Sequence, residues 1–339
     1  MSLRIAEILD TLSRCSLTRE EATGVFAHVI DGACSTIELA GLLSALKARG
    51  ETADEIAGAA QALRRTALPF PRPDYRFADT CGTGGDATST RNVSTAVAVV
   101  AAEIGIPVAK HGNRAVSSSC GSADVLEALG VRLDASPAIA RRCMDETGLC
   151  FLFAPHYHAG VSHAVPVRQA LGTRTIFNLL GPLANPARPP IQIVGVYEPH
   201  LCRPIAATLG MLGAEAALVV HGDGLDEIAL HGTTRAVLLR DGHLTELEFT
   251  PEEAGLDRVP LERLRGGEPS ENAIAMRLVL EGLDSGAYRD AVALNAGALA
   301  WVFGRTASLA DGVAVALEAL ASGRAAARLD RWIAVSHGA

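Results

Sequence analysis

Two glycine- and hydroxyl-rich segments constrain the fold more than any other part of the sequence. The first comprises residues 82–86 (GTGGD) and 92–95 (NVST), and the second comprises residues 110–119 (KHGNRAVSSS). Each follows a short apolar run and precedes a helical pattern. Glycine lets backbone N–H groups approach an anion, and a helix that begins directly after such a loop points its unpaired N–H groups at the same place. Two such loops in tandem predict a ligand with two phosphate-bearing ends.

From Tyr75 onward, short apolar runs alternate with helical patterns. This order is typical of βαβ units and predicts an α/β fold with a mostly parallel central sheet. Strands are expected at residues 77–80, 106–109, 149–154, 191–197 and 216–221. In such sheets, ligands bind beyond the carboxyl ends of the strands. Both glycine-rich segments follow strands, so we expect them at that edge.

The first 70 residues predict a small all-helical domain. Ser/Thr-x-x-Glu capping boxes at Thr18, Ser35 and Thr52 indicate helix starts. Helices are expected near residues 3–14, 19–31, 36–49 and 53–67. Such short amphipathic helices need a further surface to bury their apolar faces, either the other domain or a partner subunit. We expect part of residues 166–190 to join this domain.

Prolines at positions 69, 71 and 73 indicate a stiff connector, where we place a hinge. The second domain then covers residues 75–339. Further expectations within it are a helix at 94–104, a helix capped by Ser122 and ending at Gly130, a helix from Pro137 closed by Gly148, a helix at 199–212, a hairpin around Asp241-Gly242 and a helical tail from Ser270.

Composition excludes several classes of protein. The 339 residues carry a net charge of −8, whereas a nucleic-acid binder would present a basic surface. No apolar run is long enough to span a bilayer, and no secretory signal peptide opens the sequence. The seven cysteines form no C-x-x-C pair and are odd in number, which indicates free thiols in a reducing compartment. Cytoplasmic location is therefore expected.

The residues around the two loops predict a phosphate pocket with a metal. Hydroxyl and amide side chains beside glycine N–H groups, together with one lysine and one arginine, suit phosphate oxygens. Asp226 and Glu227 follow another apolar strand. Adjacent carboxylates at a strand end suit Mg²⁺, which binds one or two carboxylates and substrate phosphates. A solvated acidic turn is the alternative for this pair if it is considered alone.

Other reactive side chains support weaker interpretations. The histidines at 156, 158 and 163 have spacings that fit no zinc site. Cys81 and Cys120 lie in the loops, but no obvious base adjoins either, so packing is favoured over a catalytic thiol. Arg168 on a helix is either a clamp for a carboxylate or part of a surface ion pair.

These motifs can be assigned to a family by resemblance. The motifs are GTGGD at 82–86, NVST at 92–95, KHGNRAVSS at 110–118, GSAD at 121–124, FLFAP at 151–155, PVR at 166–168, RTIFNLLGPLANPA at 174–187 and DE at 226–227. Together they resemble the anthranilate phosphoribosyltransferases of tryptophan biosynthesis over nearly the whole chain. Ser119-Cys120, where many relatives have Lys-Ser, and Arg91, commonly apolar in relatives, depart from the pattern.

The resemblance implies a homodimer with a helical and an α/β domain, which uses 5-phosphoribosyl 1-pyrophosphate (PRPP), anthranilate and Mg²⁺, with two ions in each active site. It implies Ser94, Asp226 and Glu227 as metal ligands and Gly82, Asn113 and Arg168 as anthranilate contacts. It also implies a larger set of PRPP contacts: Gly82, Gly85, Asp86, Thr90, Asn92, Val93, Ser94, Thr95, Lys110, His111, Gly112, Asn113, Arg114, Ala115, Val116, Ser117, Ser118 and Ser122. No residue is assigned as a general base.

Two other functions stay open from the residues. A related enzyme could use a different aromatic acceptor, or phosphate and a nucleoside. A non-catalytic relative could keep the fold as a nucleic-acid or protein binder, although the complete first loop, the Asp226-Glu227 pair and the negative charge all argue against this.

Overall fold

The N-terminal helices begin where their capping residues predict. The computed structural model describes residues 4–85, 88–115 and 119–338. At each of the three predicted capping boxes, the hydroxyl accepts the N–H of the glutamate, whose carboxylate accepts the N–H of the capping residue. The helices are Ile5–Leu12 (α1), Arg19–Ile30 (α2), Thr36–Arg49 (α3) and Ala53–Thr66 (α4). The predicted helical start of the chain is confirmed.

These helices share a hydrophobic core with a later segment of the chain. Val165–Leu171 (α9) and Phe177–Leu180 (α10) contribute buried side chains to the cluster formed by α1–α4. The rings of Phe26 and Phe177 meet edge to face with centroids 5.9 Å apart. The same cluster continues onto one face of the sheet through Val194 and Val219. The division into two domains stays a prediction, but residues near 166–190 do pack with the helices.

The central sheet is mostly parallel, as predicted. The strands are Ala78–Gly82 (β1), Val108–Gly112 (β2), Leu149–Phe153 (β3), Ile191–Gly195 (β4), Ala216–Gly222 (β5), Thr234–Arg240 (β6) and His243–Phe249 (β7). Among the described residues they follow the order β3-β2-β1-β4-β5-β6-β7, with β1 to β5 parallel and β6 and β7 antiparallel.

The strand order reverses beside β1. The chain places β2 and β3 on one side of β1 and then β4 and β5 on the other. The loops that leave β1 and β4 therefore diverge and open a crevice at their carboxyl ends, which is where ligands bind in open α/β sheets. The first glycine-rich segment leaves β1 at this point.

The first two strands extend further than the sequence predicts. Cys81 and Gly82 still pair with Val194 and Gly195 of β4. Residues 110–112 pair with residues 151–153 of β3, so β2 begins and ends about two residues later than expected. Lys110 and His111 therefore lie on a strand and not in a loop. Polar residues at a strand end break the apolar pattern from which strand limits are predicted.

The remaining helices surround the sheet. They are Val93–Glu103 (α5), Ser122–Ala128 (α6), Pro137–Thr147 (α7), Ala154–Tyr157 (α8), Cys202–Met211 (α11), Pro269–Leu280 (α12), Ala287–Phe303 (α13), Leu309–Ala321 (α14) and Arg324–Ser336 (α15). Helices α5 and α12–α15 pack in one core that covers the face opposite the N-terminal helices. None of the helices in the described ranges combines the length and apolarity needed to cross a bilayer.

Three local predictions have clear outcomes. The hairpin turn is confirmed, since Asp241 and Gly242 both have positive φ, of 51° and 75°, as a type I′ turn requires. The helix expected at 199–212 begins as a short 3-10 turn, Pro199–Leu201, before α11. Ser122 does not cap α6: it is the first helical residue, and the carboxylate of Asp124 accepts the N–H of Gly121 instead.

Candidate active site

The first loop presents backbone donors at the end of β1. Gly84 and Gly85 have φ values of 68° and 82°, which side-chain-bearing residues rarely adopt. The N–H of Gly84 donates to Oδ2 of Asp226 at 2.6 Å. Helix α5 begins after this loop, and the N–H of Ser94 in its first turn donates to Oε1 of Glu227 at 3.2 Å. Both acidic side chains thus accept hydrogen bonds from N–H groups of the kind that bind anions.

The acidic pair and the N–H groups that it binds follow different strands, which are separated in the sheet by β4. Asp226 and Glu227 follow β5, whereas the donors follow β1. A Cβ at Gly82 would overlap the carboxylate of Asp226, and a Cβ at Gly195 would overlap the backbone of Asp226. The two glycines therefore make room for the acidic turn. Asp226 and Glu227 are half-buried and accept hydrogen bonds from loop N–H groups, which favours a binding site over a solvated acidic turn.

A buried asparagine fixes the backbone of the Asp226-Glu227 turn. Asn295, on α13, accepts the N–H of Ile228 at 3.0 Å and donates to the carbonyl of Ile228 at 3.1 Å. Ile228 directly follows the acidic pair. The direction of the two carboxylates therefore depends on a helix more than 60 residues further along the chain, which the sequence analysis did not identify.

Lys110 lies beneath the loops. Its side chain is only 1% exposed, and its ammonium donates to the carbonyl of Thr80 at 2.7 Å and to Oγ of Ser94 at 3.3 Å. The lysine thus supports the first loop and the hydroxyl of Ser94 from below. The expectation of a loop lysine is wrong in location, because the strand carries the side chain into the sheet.

Asp79 provides a counter-charge for this buried lysine. Its carboxylate accepts the N–H of His111 at 3.3 Å and Nδ2 of Asn185 at 2.9 Å. Burial raises the pKa of Asp79 to about 6, although the nearby Lys110 cation opposes that shift. Asn185 also donates to the carbonyl of Ala109 at 2.8 Å, so it ties the 174–187 segment to β2. Neither Asp79 nor Asn185 was predicted as a site residue.

His111 is held as a neutral ring. Its Nδ1 lies 3.0 Å from the carbonyl oxygen of Gly181, and its ring meets that of His158 edge to face at 5.2 Å. Burial lowers the pKa of His111 to about 3. Because the Gly181 carbonyl can only accept, Nδ1 carries the proton of the neutral ring. Such a weak base supports the absence of an assigned general base.

The second loop is closed by its own ion pairs. The Arg114 guanidinium binds Asp124 at 3.0 Å and Glu127 at 2.7 Å, and the N–H of Ala115 donates to Asp124 at 2.9 Å. Ser122 donates through Oγ to the carbonyl of Asn113 at 3.3 Å. Arg114 therefore links the second loop to α6, and its charge is already paired with Asp124 and Glu127.

Four further residues of the predicted PRPP site lie in the segment that joins the first loop to α5 and in the first turn of that helix. The backbone of Thr90 forms an isolated antiparallel β-bridge with that of Arg265. The side chain of Asn92 donates to the carbonyl of Cys120 in the second loop at 3.0 Å. Val93 and Thr95 begin α5 and are buried. The predicted contacts Asp86, Val116, Ser117 and Ser118 lie outside the described residues.

Arg168 lies on α9, with its guanidinium carbon 5.4 Å from the ring centre of Phe177. Desolvation lowers its pKa. Among the described residues Arg168 has no ion-pair partner. Because the cation is also half-buried, the structure favours a clamp for a ligand carboxylate over a surface ion pair.

The two departures from the family pattern make local contacts. Ser119 donates through Oγ to the carbonyl of Gly267 at 3.1 Å, and the Arg91 guanidinium lies 5.3 Å from the ring centre of Tyr288. The cysteine thiols are not activated, because burial raises the pKa of Cys81 to about 12 and also raises that of Cys120.

The donor set fits a cation that substrate oxygens help to bind. Within the described ranges no group of three or more His, Cys, Asp or Glu side chains could hold a metal ion unaided. Two neighbouring carboxylates beside phosphate-binding N–H groups instead suit Mg²⁺, which commonly takes its remaining ligands from substrate phosphates and water.

Comparisons with known proteins match both parts of the chain. A family model described as "Glycosyl transferase family, helical bundle domain" matches residues 5–67, and one described as "Glycosyl transferase family, a/b domain" matches residues 74–326. An anthranilate phosphoribosyltransferase of Sorangium cellulosum (strain So ce56) is 60% identical over 97% of this chain and 95% of its own length.

Two solved structures have the same fold. Anthranilate phosphoribosyltransferase from Thermus thermophilus has a TM-score of 0.93 and 46% identity, over 97% of this chain and 99% of that one. The enzyme from Saccharomyces cerevisiae in complex with PRPP and Mg has a TM-score of 0.90 and 27% identity, over 99% of this chain and 98% of that one.

Proposed function

The chain belongs to the anthranilate phosphoribosyltransferase family, and on this premise we propose that its active site lies in the crevice between the two glycine-rich loops and the Asp226-Glu227 turn. The reaction transfers the phosphoribosyl group of PRPP to the amine of anthranilate. It gives N-(5-phosphoribosyl)anthranilate and pyrophosphate, a step of tryptophan biosynthesis.

The observation that carries this proposal is the position of the two carboxylates. Asp226 and Glu227 bind the N–H groups of Gly84 and Ser94, which are donors of the kind that bind phosphate. Carboxylates and pyrophosphate oxygens at one edge of the sheet would repel each other unless a cation lies between them. The arrangement therefore favours a substrate that arrives with Mg²⁺.

We assign Ser94, Asp226 and Glu227 to Mg²⁺. When bound, the metal would neutralise charge on the departing pyrophosphate. Two ions per active site, as the family resemblance implies, are part of the same proposal. The ammonium of Lys110, which donates to Oγ of Ser94, would fix the direction of that hydroxyl.

The protein itself contributes position and electrostatics. The N–H of Gly85 and the hydroxyl of Thr95 would bind phosphate oxygens, while the N–H groups of Gly84 and Ser94 hold Asp226 and Glu227. Arg168, Asn113 and Gly82 would contact anthranilate. The aromatic amine is neutral near pH 7 and attacks the anomeric carbon as the bond to pyrophosphate breaks. Preorganised donors aimed at the leaving group stabilise that charge without rearrangement. No step requires a strong base, which agrees with the low pKa of His111.

The remaining predicted PRPP contacts belong to the same proposal. They are Gly82, Thr90, Asn92, Val93, Thr95, His111, Gly112, Asn113, Arg114, Ala115 and Ser122, with Asp86, Val116, Ser117 and Ser118 beyond the described part.

The direct test mixes the protein with anthranilate, PRPP and Mg²⁺ and follows the loss of anthranilate fluorescence. We expect turnover that needs all three components. Turnover with a nucleoside and phosphate, but none with anthranilate, would favour a nucleoside phosphorylase. Turnover with PRPP and another aromatic amine alone would favour a different acceptor.

We also propose a homodimer that pairs through the N-terminal helices. Ile37, on α3, is 84% exposed, and Ile8 and Leu9 on the neighbouring α1 are only half-buried. A C₂ interface would cover this apolar face with the same face of a second copy. Ile37→Glu is expected to shift the sedimentation coefficient from dimer to monomer at micromolar concentration.

The matched control for this dimer is Leu283→Glu. Leu283 is 72% exposed but follows α12 on the α/β part of the chain, so its replacement should leave the dimer intact. A wild-type protein that sediments as a compact monomer would contradict the dimer. Equal dissociation of the Leu283→Glu protein would place the interface elsewhere.

The proposed location is the cytoplasm, and the state of the thiols supports it. All seven cysteines are free, and Cys120, Cys143, Cys150 and Cys202 are buried. Unpaired thiols suit a reducing compartment.

A further inference from the structure

Asn92 occupies the N-cap position of α5 but does not cap the helix. An asparagine at this position usually accepts the N–H of the second or third helical residue through its side chain. Here no such bond forms, and the backbone of Asn92 has φ −69° and ψ 73°. The N–H of Val93 instead turns back to the carbonyl of Arg91 at 2.7 Å. The missing cap needs a physical cause.

Two partners hold the Asn92 amide away from the helix. Its Oδ1 accepts Nδ2 of Asn272 at 3.1 Å, and its Nδ2 donates to the carbonyl of Cys120 at 3.0 Å. A third contact comes from Tyr288, whose hydroxyl donates to the Asn92 carbonyl at 3.3 Å. The amide is therefore engaged at both ends and cannot turn toward α5 without losing these bonds.

The side chains of Asn272 and Tyr288 come from the C-terminal helices and are themselves fixed. Asn272, on α12, is 2% exposed, and its Oδ1 accepts the N–H of Gly267 at 2.9 Å. That bond sets which end of the Asn272 amide faces Asn92. Tyr288, on α13, is 1% exposed and carries the Arg91 guanidinium over its ring. Neither side chain can rotate freely.

The uncapped end of α5 matters because of what lies beside it. The N–H of Ser94 binds Glu227, and the buried hydroxyl of Thr95 has no hydrogen-bond partner among the described residues. A buried unpaired hydroxyl is costly unless something bonds to it. The first turn of α5 therefore keeps the Thr95 hydroxyl available to an anion while the N–H of Ser94 stays with Glu227, provided that the Asn92 side chain does not turn over this end of the helix.

We infer that Asn272 and Tyr288 are positioning residues for PRPP: they hold Asn92 away from the N-terminus of α5 and so keep that end open for the phosphates of the substrate. The inference rests on the proposed function. Because Asn92 also bonds to the Cys120 carbonyl, the same contacts set the spacing between the two loops. The Cys120 contact uses the backbone, so a serine at this position would preserve it.

Replacement of Asn272 with Ala tests the inference. The freed Asn92 amide can then cap α5 and compete with phosphate. We expect KM for PRPP, and Kd for inorganic pyrophosphate with Mg²⁺ measured by calorimetry, each to rise about tenfold, the factor for one ordinary hydrogen bond. KM for anthranilate should stay within about twofold, because Asn272 acts only on the phosphate side. Tyr288→Phe should shift the same constants in the same direction, by about fivefold, with the ring retained.

A double-mutant cycle separates positioning from general stability. If Asn272 acts through Asn92, the Asn272→Ala change should have no further effect on KM for PRPP in an Asn92→Ala background. Ser336→Ala is the control for a lost buried bond, since Ser336 accepts the N–H of Arg132 on the far helix α15. It should lower the melting temperature without changing either KM.

The outcomes distinguish the inference from the proposed function. A wild-type protein without turnover of anthranilate and PRPP would overturn the proposed function. An active wild-type protein with unchanged KM for PRPP in Asn272→Ala and Tyr288→Phe would overturn the inference, as would additive effects in the cycle. If Asn272→Ala fails to fold, Tyr288→Phe in the presence and absence of Asn92→Ala supplies the same comparison.

Discussion

Replacement of Asp226 with Asn together with Glu227 with Gln is expected to lower the turnover number by about 10²- to 10³-fold, because a correctly held metal contributes several kcal/mol of charge stabilisation. The fold should survive. Each amide keeps a carbonyl oxygen that can accept the N–H of Gly84 or Ser94, so the loop contacts persist while two negative charges disappear. Steady-state rates across a Mg²⁺ titration would measure the loss.

Asp223→Asn is the matched control for the acidic pair. Asp223 lies in the same turn but is exposed, and its positive φ of 47° is one that asparagine tolerates. Its change removes a nearby charge without touching the loop donors, so activity should stay close to wild type. Near-normal turnover of the double variant at low Mg²⁺ would show that the pair does not bind the metal.

Local patterns predicted the fold well because each is decided within a few residues. Capping boxes place the starts of α2, α3 and α4, and the Asp241-Gly242 turn fixes the hairpin register from Arg240 to His243. The alternation of strands and helices predicted the parallel sheet. Strand ends do not follow from local sequence alone, since they depend on the length of the neighbouring strand: β2 runs to Gly112 because β3 pairs with it there.

The parts of the site that the sequence did not predict are those that act across long separations. Asn272 and Asn295 each bond to a segment more than 60 residues earlier, and Asp79 bonds to Asn185 more than 100 residues later. A weak signal did exist: Asn295 is a polar residue in an Ala-rich helix. Its partner could not be inferred from spacing, because only the packing of α13 on the sheet brings the two together.

The burial of Lys110 shows how one such contact changes an interpretation. A lysine after an apolar run reads as a loop cation facing the ligand. The structure places it under the loop, where the Thr80 carbonyl and the Asp79 charge compensate for the loss of water. A substitution at Lys110 would therefore disturb the first loop and Ser94 as well as any phosphate, and its effect could not be assigned to direct contact alone.

Arg168→Ala is expected to raise KM for anthranilate about 10- to 150-fold, because a charged hydrogen-bond partner contributes roughly 1.5–3 kcal/mol. The Arg168 guanidinium is half-buried, lies over the Phe177 ring and has no ion-pair partner among the described residues. Anthranilate carries a carboxylate next to its amine, which the fork of donors on arginine matches. KM for PRPP should change much less.

Three variants separate charge, geometry and packing at this position. Arg168→Met keeps the aliphatic contact with Phe177 and removes the charge, so it should match Arg168→Ala in KM with less loss of melting temperature. Arg168→Lys keeps the charge but not the planar fork, so its KM should fall between those of Arg168→Ala and wild type. The control is Arg203→Ala, on α11, which removes the exposed ion pair with Glu246 on β7 and should leave both KM values unchanged. Equal losses for both substrates in Arg168→Met would show that this arginine is structural and that another group binds the anthranilate carboxylate.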